Sequence, residues 1–237
     1  MQVLPFILHC SEWKGGGNVR EEVIQKVKEK KIIAIVRKVY GEDCRKLTEA
    51  LLAGGISLME FTFDQNEPDD WEKTCENIKM VRKNFEGRMY CGAGTVLTKR
   101  QVELAAEAGA QFIVSPSVNC EVIEETKKRG MVSMPGAMTV TEIVNAAEYG
   151  ADFVKVFPAA DLGVAYIKAI RSPINHIPLR AVGGVNERNI GEFIEAGTSG
   201  VGIGGDLVNR KWIVAGDFEK IRKTAEALVK NIGGYEK

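Results

Sequence analysis

The chain has 237 residues, with 32 basic and 32 acidic side chains and a formal net charge of zero. A nucleic-acid binder is not expected, because affinity for a phosphate backbone needs a basic surplus. A hydrophobic fraction of 45% suffices for a sizeable core, and no run approaches the ~18 apolar residues of a membrane span. The segment Met1–Cys10 contains Pro5 and lacks the basic leader and cleavage site of a signal peptide. We therefore expect a cytosolic protein that binds neither nucleic acid nor membranes.

The cysteines and histidines restrict the chemistry. Five cysteines form no C-x-x-C pair, and their odd number favours reduced, mostly buried thiols over a disulfide framework. The two histidines, His9 and His176, are too few for a three-histidine zinc site and leave few candidates for a catalytic triad. Any reaction must therefore depend on Lys, Glu, Asp, Arg, Ser, Thr or backbone groups.

The first residues differ in pattern from the rest. Residues 1–19 include three consecutive glycines within Ser11–Val19 and show no periodicity, so we expect an N-terminal extension that is flexible. Periodic structure starts near Arg20 with a helix, and no other linker or low-complexity run follows. We expect a single domain over residues 20–237.

From there the chain alternates short apolar runs with amphipathic segments. Eight runs have the length and composition of buried strands: Ile32–Arg37, Ile56–Phe63, Met89–Gly94, Phe112–Pro116, Met131–Gly136, Phe153–Pro158, Pro178–Gly184 and Gly200–Gly205. The segments between them carry apolar residues at three- and four-residue spacing, which predicts helices. Thr98 with Gln101 and Thr139 with Glu142 have capping-box spacing, and glycines such as Gly109 mark helix ends.

The order of these elements predicts an α/β fold. Apolar runs without polar alternation are typical of parallel strands that are covered on both faces. Eight units in about 220 residues match the (β/α)8 TIM barrel, which typically needs ~250 residues. An open doubly wound sheet is the alternative, and it fits less well because no central nucleotide-binding fingerprint is present.

Two charged residues interrupt the apolar runs. Lys155 lies between valines and phenylalanines, where burial would lower its pKa and yield the neutral amine that attacks carbonyl groups. Glu60 has similar neighbours, and a raised pKa would suit a carboxyl that exchanges protons near neutral pH. A structural ion pair between Lys155 and Glu60 is the alternative that the sequence leaves open.

Other candidates follow predicted strands, where a barrel of this kind places its active site. Arg37 could bind a substrate carboxylate through two hydrogen bonds, although a surface salt bridge explains it equally well. Thr95 offers a hydroxyl beside a glycine-rich turn, or caps a loop. The bare backbone N–H groups of Gly183 with Gly184, and of Gly204 with Gly205, suit a phosphate.

The charge of Asp206 is unfavourable beside a phosphate, so an N-cap that faces away is the alternative role for this residue.

Taken together, these motifs resemble the 2-dehydro-3-deoxy-phosphogluconate (KDPG) aldolase family, which includes the 2-dehydro-3-deoxy-phosphogalactonate and 4-hydroxy-2-oxoglutarate aldolases. The likeness runs from about Glu21 to about Leu228. It rests on the segments 35–37, 54–60, 92–97, 108–116, 135–142, 154–159, 183–185 and 202–205.

The resemblance implies a (β/α)8 barrel, usually a homotrimer, that cleaves a phosphorylated keto sugar acid without a metal or another cofactor. By position, it implies that Lys155 forms the Schiff base and that Glu60 is the acid/base residue. Thr95 and Pro116 would line the pyruvyl pocket, and Phe157 would also contact the substrate. The late glycines would bind the phosphate.

The substrate is less clear than the reaction. The gluconate-type enzymes carry an arginine four residues after the glutamate, where this chain has Asp64. The galactonate-type branch is more similar at Arg37, at Ala181–Val182 and at Asp206–Leu207, but Asp64–Asn66 fits neither type. The substrate is therefore open between the two keto sugar acid 6-phosphates, which give pyruvate and glyceraldehyde 3-phosphate, and 4-hydroxy-2-oxoglutarate.

Two other functions are consistent with a barrel that has late phosphate loops. A phosphosugar isomerase or epimerase needs an acid/base pair but no buried nucleophilic amine, so Lys155 argues against it. A barrel without catalytic activity that binds an anionic metabolite is the other alternative, and Asp64 and Asp206 are compatible with it.

Overall fold

The computed structural model describes residues 17–233, which form a closed parallel barrel surrounded by helices. The strands are β1 (Ile32–Val36), β2 (Leu58–Thr62), β3 (Tyr90–Gly94), β4 (Phe112–Val114), β5 (Val132–Met134), β6 (Gly136–Ala137), β7 (Val154–Val156), β8 (Leu179–Val182) and β9 (Gly200–Ile203). Each lies within one of the eight predicted apolar runs, except that β6 extends one residue beyond the run Met131–Gly136. All recorded pairings are parallel, in the order β5-β4-β3-β2-β1-β9-β8-β7-β6.

The predicted fifth strand is divided in two at Pro135. Its first half, β5, pairs with β4, and its second half, β6, pairs with β7. The backbone N–H of Lys155 donates to the Pro135 carbonyl oxygen at 2.9 Å, which links the divided strand to β7. The nine segments thus make the eight positions of the predicted (β/α)8 barrel, and that prediction is confirmed.

Helices connect the strands on the outside. They are α1 (Gly17–Lys30), α2 (Gly41–Ala53), α3 (Trp71–Asn84), α4 (Lys99–Glu107), α5 (Cys120–Lys128), α6 (Val140–Glu148), α7 (Ala159–Leu162), α8 (Val164–Arg171), α9 (Ile190–Glu195), α10 (Arg210–Val214) and α11 (Phe218–Gly233), with a 3-10 turn at Pro68–Asp70 before α3. The predicted N-terminal helix is therefore present. The extension expected over residues 1–19 lies outside the described residues except for its last three positions, which belong to α1.

Local sequence signals account for the helix ends. Both predicted capping boxes form: Thr98 and Thr139 accept from the backbone N–H three residues ahead, while Gln101 and Glu142 reach back. Glycines were predicted to end α2, α4, α5, α6 and α9. The residues that follow these helices include glycines with positive φ angles, namely Gly55, Gly109, Gly130, Gly150 and Gly197. These ends direct each chain segment back into the sheet.

Side-chain parity divides the core into two layers. Alternate strand residues such as Ala34, Phe61 and Ile113 pack outward against the helices. The intervening residues point into the barrel, where Ile33, Phe112 and others form a second cluster. Since Glu60 is two residues from Leu58 and Lys155 two residues from Phe153, both share the parity of the inner cluster.

Helix α1 closes the amino-terminal end of the barrel. Val23 and Val27 are fully buried and belong to the same apolar cluster as the inward residues Leu58, Phe112 and Phe153. At the rim, the Tyr90 hydroxyl donates to Glu22 Oε1 at 2.6 Å, and Arg20 pairs with Asp152. Within residues 17–233, a ligand can therefore enter the barrel at the carboxyl ends of the strands.

The described cysteines are free thiols. Cys44, Cys75 and Cys91 are buried and Cys120 is partly exposed, and burial raises the pKa of Cys44 and of Cys91 to about 12. The prediction that the cysteines are mostly buried holds for these four.

Within residues 17–233, no helix has both the length and the apolar character needed to cross a membrane.

Gly92 tests the packing of the barrel interior. A Cβ at this position would overlap the ring and the carbonyl oxygen of Phe112, and a backbone atom cannot move aside cheaply. We expect Gly92→Ala to lower the free energy of unfolding by about 3 kcal/mol, the upper end for an overpacked core. Urea denaturation measures this loss.

Gly205→Ala is the matched control, because a Cβ there meets no atom within 4 Å. Its free energy of unfolding should change by less than about 0.5 kcal/mol. Equal losses for the two variants would contradict the packing explanation.

Candidate active site

Three ionisable side chains lie inside the barrel. Glu60 on β2, Lys155 on β7 and Arg180 on β8 have exposed fractions of 3%, 6% and 2%. They line one narrow hollow with the apolar residues Ile33, Ile35, Val114, Met134 and Val182 and with Gly202. Neither Lys155 nor Glu60 points outward into solvent, and both belong to the same hollow.

The Lys155 amine is held in an apolar setting. Its Nζ lies 4.8 Å from the centroid of the Phe157 ring. Burial lowers the pKa of this amine, and the positive charge of Arg37 adds to the effect, while the Glu60 carboxylate opposes it. Among residues 17–233 no ion pair or hydrogen bond joins Lys155 to Glu60, which argues against the structural ion pair left open by the sequence.

The Glu60 carboxyl lies beside β3. A Cβ added to Gly94 would be 2.7 Å from Glu60 Oε1, so the glycine provides the space for this carboxyl. Burial raises the pKa of Glu60 above its usual range. The charges of Lys155, Arg37 and Arg180 oppose the rise. A carboxyl whose pKa is raised in this way is suited to exchanging protons with a substrate.

An open cavity of about 520 Å³ lies above the hollow and shares Ile35 with it. Four predicted site residues line this cavity, namely Arg37, Thr95, Gly204 and Gly205. The fold thus brings together four residues that were predicted from the sequence and that follow three different strands.

The other predicted residues surround the top of β7. A Cβ on Gly183 would lie 3.1 Å from the Phe157 ring, so the Gly183 loop packs on the residue that contacts Lys155. The backbone of Pro116 lies against Gly136, which pairs with Lys155. Gly184 packs against Ala160 and does not line the larger cavity.

Asp64 does not face the cavity as an unpaired charge. Its Oδ2 lies 2.7 Å from Lys38 Nζ, which also lies 3.1 Å from Glu67 Oε1. The hydrogen bond from Lys38 lowers the pKa of the Asp64 carboxyl. Its negative charge is therefore partly offset by Lys38, which it shares with Glu67, and presents a smaller barrier to an anionic ligand than an unpaired carboxylate would.

Asp206 is exposed, and it does not cap the following helix. The cap of α10 is Asn209, whose side chain accepts from the Lys211 N–H at 3.0 Å. The alternative role considered for Asp206 is therefore wrong, because the turn after β9 continues for three more residues before α10 starts.

A hydrogen-bonded chain fixes the Thr95 loop. Thr95 has a φ of 55°, which is uncommon for a β-branched residue. Its carbonyl oxygen accepts from Gln65 Nε2 at 2.8 Å, and Gln65 Oε1 accepts from Gln101 Nε2 at 3.1 Å. These bonds hold the strained residue at the edge of the cavity.

Sequence reasoning missed several residues of this region. Arg180 interrupts an apolar run in the same way as Lys155, and this signal is sufficient to identify it. Gln65, Lys38 and Arg210 line the cavity but lie in loops or at a helix start, where no periodic pattern marks them.

A buried amine and a buried carboxyl beneath an open cavity, at the carboxyl ends of barrel strands, are typical of enzymes that act on carbonyl compounds through a lysine. The family model described as KDPG and KHG aldolase matches residues 23–224. The chain belongs to this family and is therefore an aldolase, a lyase.

Relatives and solved structures agree with the family. The 2-dehydro-3-deoxy-6-phosphogalactonate aldolase of Escherichia coli (strain K12) is 34% identical over 200 residues, covering 84% of this chain and 93% of that protein. A structure described as native KDPGal has a TM-score of 0.77 and 32% identity, with 86% of this chain and 94% of that chain covered.

A structure of the KDPG aldolase of Legionella pneumophila, with pyruvate captured as a covalent carbinolamine intermediate, has a TM-score of 0.74. It is 27% identical and covers 84% of this chain and 94% of that chain. These findings favour an aldolase over an isomerase or a barrel without catalytic activity.

Replacing Lys155 with Met should stabilise the folded protein at neutral pH. Burial lowers the pKa of this amine, so unfolding takes up a proton wherever the pH lies between the lowered value and the ordinary 10.5. Stability is therefore lost as the pH falls through that window. We expect Lys155→Met to gain on the order of 1 kcal/mol at pH 7, and the gain to shrink towards pH 10.5. Thermal unfolding at several pH values measures it.

Lys46→Met is the control, because Lys46 is exposed on α2. It should change the stability by less than about 0.5 kcal/mol at any pH. A Lys155→Met protein that is less stable than the wild type at pH 7 would contradict the interpretation that burial of the Lys155 amine destabilises the folded protein.

Proposed function

We propose that this aldolase cleaves a 2-keto-3-deoxy sugar acid 6-phosphate into pyruvate and glyceraldehyde 3-phosphate, through a Schiff base on Lys155. The observation that carries the proposal is the desolvated Lys155 amine, which shares a hollow with Glu60 but is not ion-paired to it. A neutral amine has the free electron pair that attacks a ketone, whereas a lysine in a tight ion pair does not.

The reaction begins when the Lys155 nitrogen attacks the C2 ketone and forms a carbinolamine. Loss of water gives an iminium ion, which accepts the electron pair of the C3–C4 bond as that bond breaks. Glu60, directly or through one water molecule, takes the proton of the C4 hydroxyl, and glyceraldehyde 3-phosphate leaves. Protonation of the enamine at C3 and hydrolysis of the iminium then release pyruvate and the free amine.

The two ends of the substrate need separate anion sites. We assign the carboxylate to Arg37 and Thr95, with Pro116 and Phe157 as the walls of the pyruvyl pocket. Arg37 and Thr95 line the cavity above Lys155, and a guanidinium binds a carboxylate with two hydrogen bonds.

The phosphate is assigned to the backbone N–H groups of the two glycine loops. Gly204 and Gly205 line the same cavity, and a side chain on Gly205 would meet nothing within 4 Å. The loop of Gly183 and Gly184 has positive φ angles at both residues, which turns its backbone back over α7. This cradle is common in barrels that bind phosphate.

A galactonate-derived substrate is favoured over the gluconate-derived one. Asp64 occupies the position at which the gluconate-type enzymes carry an arginine, and its carboxylate is bound by Lys38. The carboxylate of the substrate is therefore left to Arg37, a residue shared with the galactonate type. Activity on 4-hydroxy-2-oxoglutarate, which has no phosphate, is the second candidate because the carboxylate end of the site is the same.

Trapping with pyruvate and borohydride tests the Schiff base. Wild-type protein incubated with both should gain the mass of one reduced pyruvyl group, carried by the peptide that contains Lys155, because borohydride reduces the iminium to a stable amine. Peptide mass spectrometry locates the adduct. Lys155→Met should gain no mass and should lose aldol cleavage by at least about 10³-fold.

Lys38→Met is the matched control, since Lys38 lines the open cavity above the hollow of Lys155 but is bound to Asp64 and Glu67. This variant should still be modified at Lys155. Modification of Lys38 in the wild-type protein, or substantial cleavage by Lys155→Met, would refute the role of Lys155.

Side-by-side rates test the substrate. We expect kcat/KM to be at least about 10-fold higher for the galactonate-derived 6-phosphate than for its gluconate-derived epimer, a difference of about 1.4 kcal/mol in the transition state. A coupled assay for the released pyruvate measures both rates. Equal rates, or a preference for the gluconate epimer, would contradict the assignment made from Arg37.

We also propose that the protein works as a homotrimer in the cytosol. The trimer is supported by the family resemblance, and a reducing compartment is supported by the free thiols of Cys44, Cys75, Cys91 and Cys120.

A further inference from the structure

Arg180 is a buried cation that the proposed mechanism does not use. It lies on β8, where its register partner on β7 is Lys155. It is 2% exposed and lines the same hollow as Lys155 and Glu60. Arginine side chains are rarely buried to this degree without a carboxylate partner.

The guanidinium is held by backbone groups. Its Nη2 donates to the Lys31 carbonyl oxygen at 2.7 Å and to the Val201 carbonyl oxygen at 2.9 Å. Its Nη1 is buried and has no hydrogen-bond partner among residues 17–233. A Cβ on Gly200 would lie 2.5 Å from Nη1, so this glycine provides the space that the guanidinium occupies. The fold therefore accommodates the group specifically but does not neutralise it.

The charge of Arg180 persists over the working pH range. Burial lowers the pKa of its guanidinium to about 10, and the negative charge of Glu60 opposes the decrease. A value near 10 still leaves the group protonated at neutral pH. Within residues 17–233, Glu60 is the acidic group whose charge acts on this cation.

Three cationic groups act on Glu60, and they differ in whether their positive charge persists during the reaction. Lys155 on β7 must be neutral when it attacks the ketone. Arg37, which follows β1, is exposed, so solvent screens its charge, and the proposed carboxylate of the substrate would engage it. Arg180 on β8 is both permanently charged and shielded from water, and so it acts on Glu60 throughout the reaction.

We propose that Arg180 is a positioning residue for the aldol reaction, a fixed positive charge inside the barrel that stabilises the ionised form of Glu60 and so helps it to accept the C4 hydroxyl proton. The proposal rests on the proposed function, in which Glu60 is the base. Burial already raises the pKa of Glu60, and without this charge the protonated carboxyl, which cannot act as a base, would be favoured further.

Three substitutions separate charge from packing. Arg180→Met and Arg180→Gln remove the charge, and Gln retains an N–H donor for the Lys31 and Val201 carbonyl groups. Arg180→Lys retains both the charge and a donor. The pH dependence of kcat/KM is measured for each, since its acid limb reports the base of the free enzyme.

The two neutral variants should move the acid limb to higher pH by on the order of one pH unit, because the opposite charge that lowers the pKa of Glu60 is gone. Their kcat/KM at neutral pH should then fall about 10-fold and recover towards alkaline pH. The limb of Arg180→Lys should remain within a few tenths of a unit of the wild type, on the same reasoning.

A purely structural role gives different results. If the neutral variants lose kcat/KM by the same factor at every pH, with the limb unmoved, the proposal is overturned. It is also overturned if neither neutral variant folds, since the charge then serves stability. Circular dichroism and thermal unfolding distinguish these outcomes.

A second background tests whether the effect passes through Glu60. In Glu60→Gln protein, the rate of pyruvate trapping at Lys155 is followed against pH with and without Arg180→Met. The two profiles should coincide, and a shift that persists would assign the charge to Lys155 and overturn the pairing with Glu60. Failure of wild-type protein to trap pyruvate would instead refute the proposed function itself.

Discussion

The charges inside the barrel must be balanced where water is scarce, and this constraint governs the site. Glu60, Lys155 and Arg180 share a hollow that is almost filled by apolar side chains. If Lys155 and Arg180 were both charged against the single carboxylate of Glu60, an excess positive charge would remain in a region of low polarity, which is costly. Because the arginine cannot give up its proton at neutral pH, the neutral form of Lys155 relieves the imbalance. Burial, which is the main cause of the lowered pKa of Lys155, and this charge balance act in the same direction.

Glycines on the inner face of the barrel make this arrangement sterically possible. Gly94 on β3 leaves room for the Glu60 carboxyl, and Gly200 on β9 leaves room for the Arg180 guanidinium. Glycine in a strand weakens the strand, because it has no side chain to pack and loses more entropy on folding. The Glu60 carboxyl and the Arg180 guanidinium fill the space that these glycines leave. The glycines therefore lower the stability of the strands but make room for the charged groups of the site.

Much of this could be predicted from the sequence, because strands and charges leave local signals. The eight apolar runs, both capping boxes, and Lys155 and Glu60 within apolar surroundings were each identifiable from their neighbours. The division of the fifth strand at Pro135 was not, since it depends on pairing with two different strands. The role of Gln65 depends on a contact with Thr95 thirty residues away, which no periodicity reveals. Asn209, and not Asp206, caps α10 because the length of the preceding turn is set by tertiary packing.

Helix α1 has a kinetic consequence for the proposed reaction. Since Val23 and Val27 seal the amino-terminal end, the barrel that residues 17–233 form gives access to Lys155 from its carboxyl-terminal mouth. The aldehyde fragment lies between that mouth and the pyruvyl group, so it has to depart before the three-carbon acid can. Such an order makes pyruvate the last product off and the first reactant on in the synthetic direction, with free pyruvate competing directly with the sugar acid for the empty enzyme.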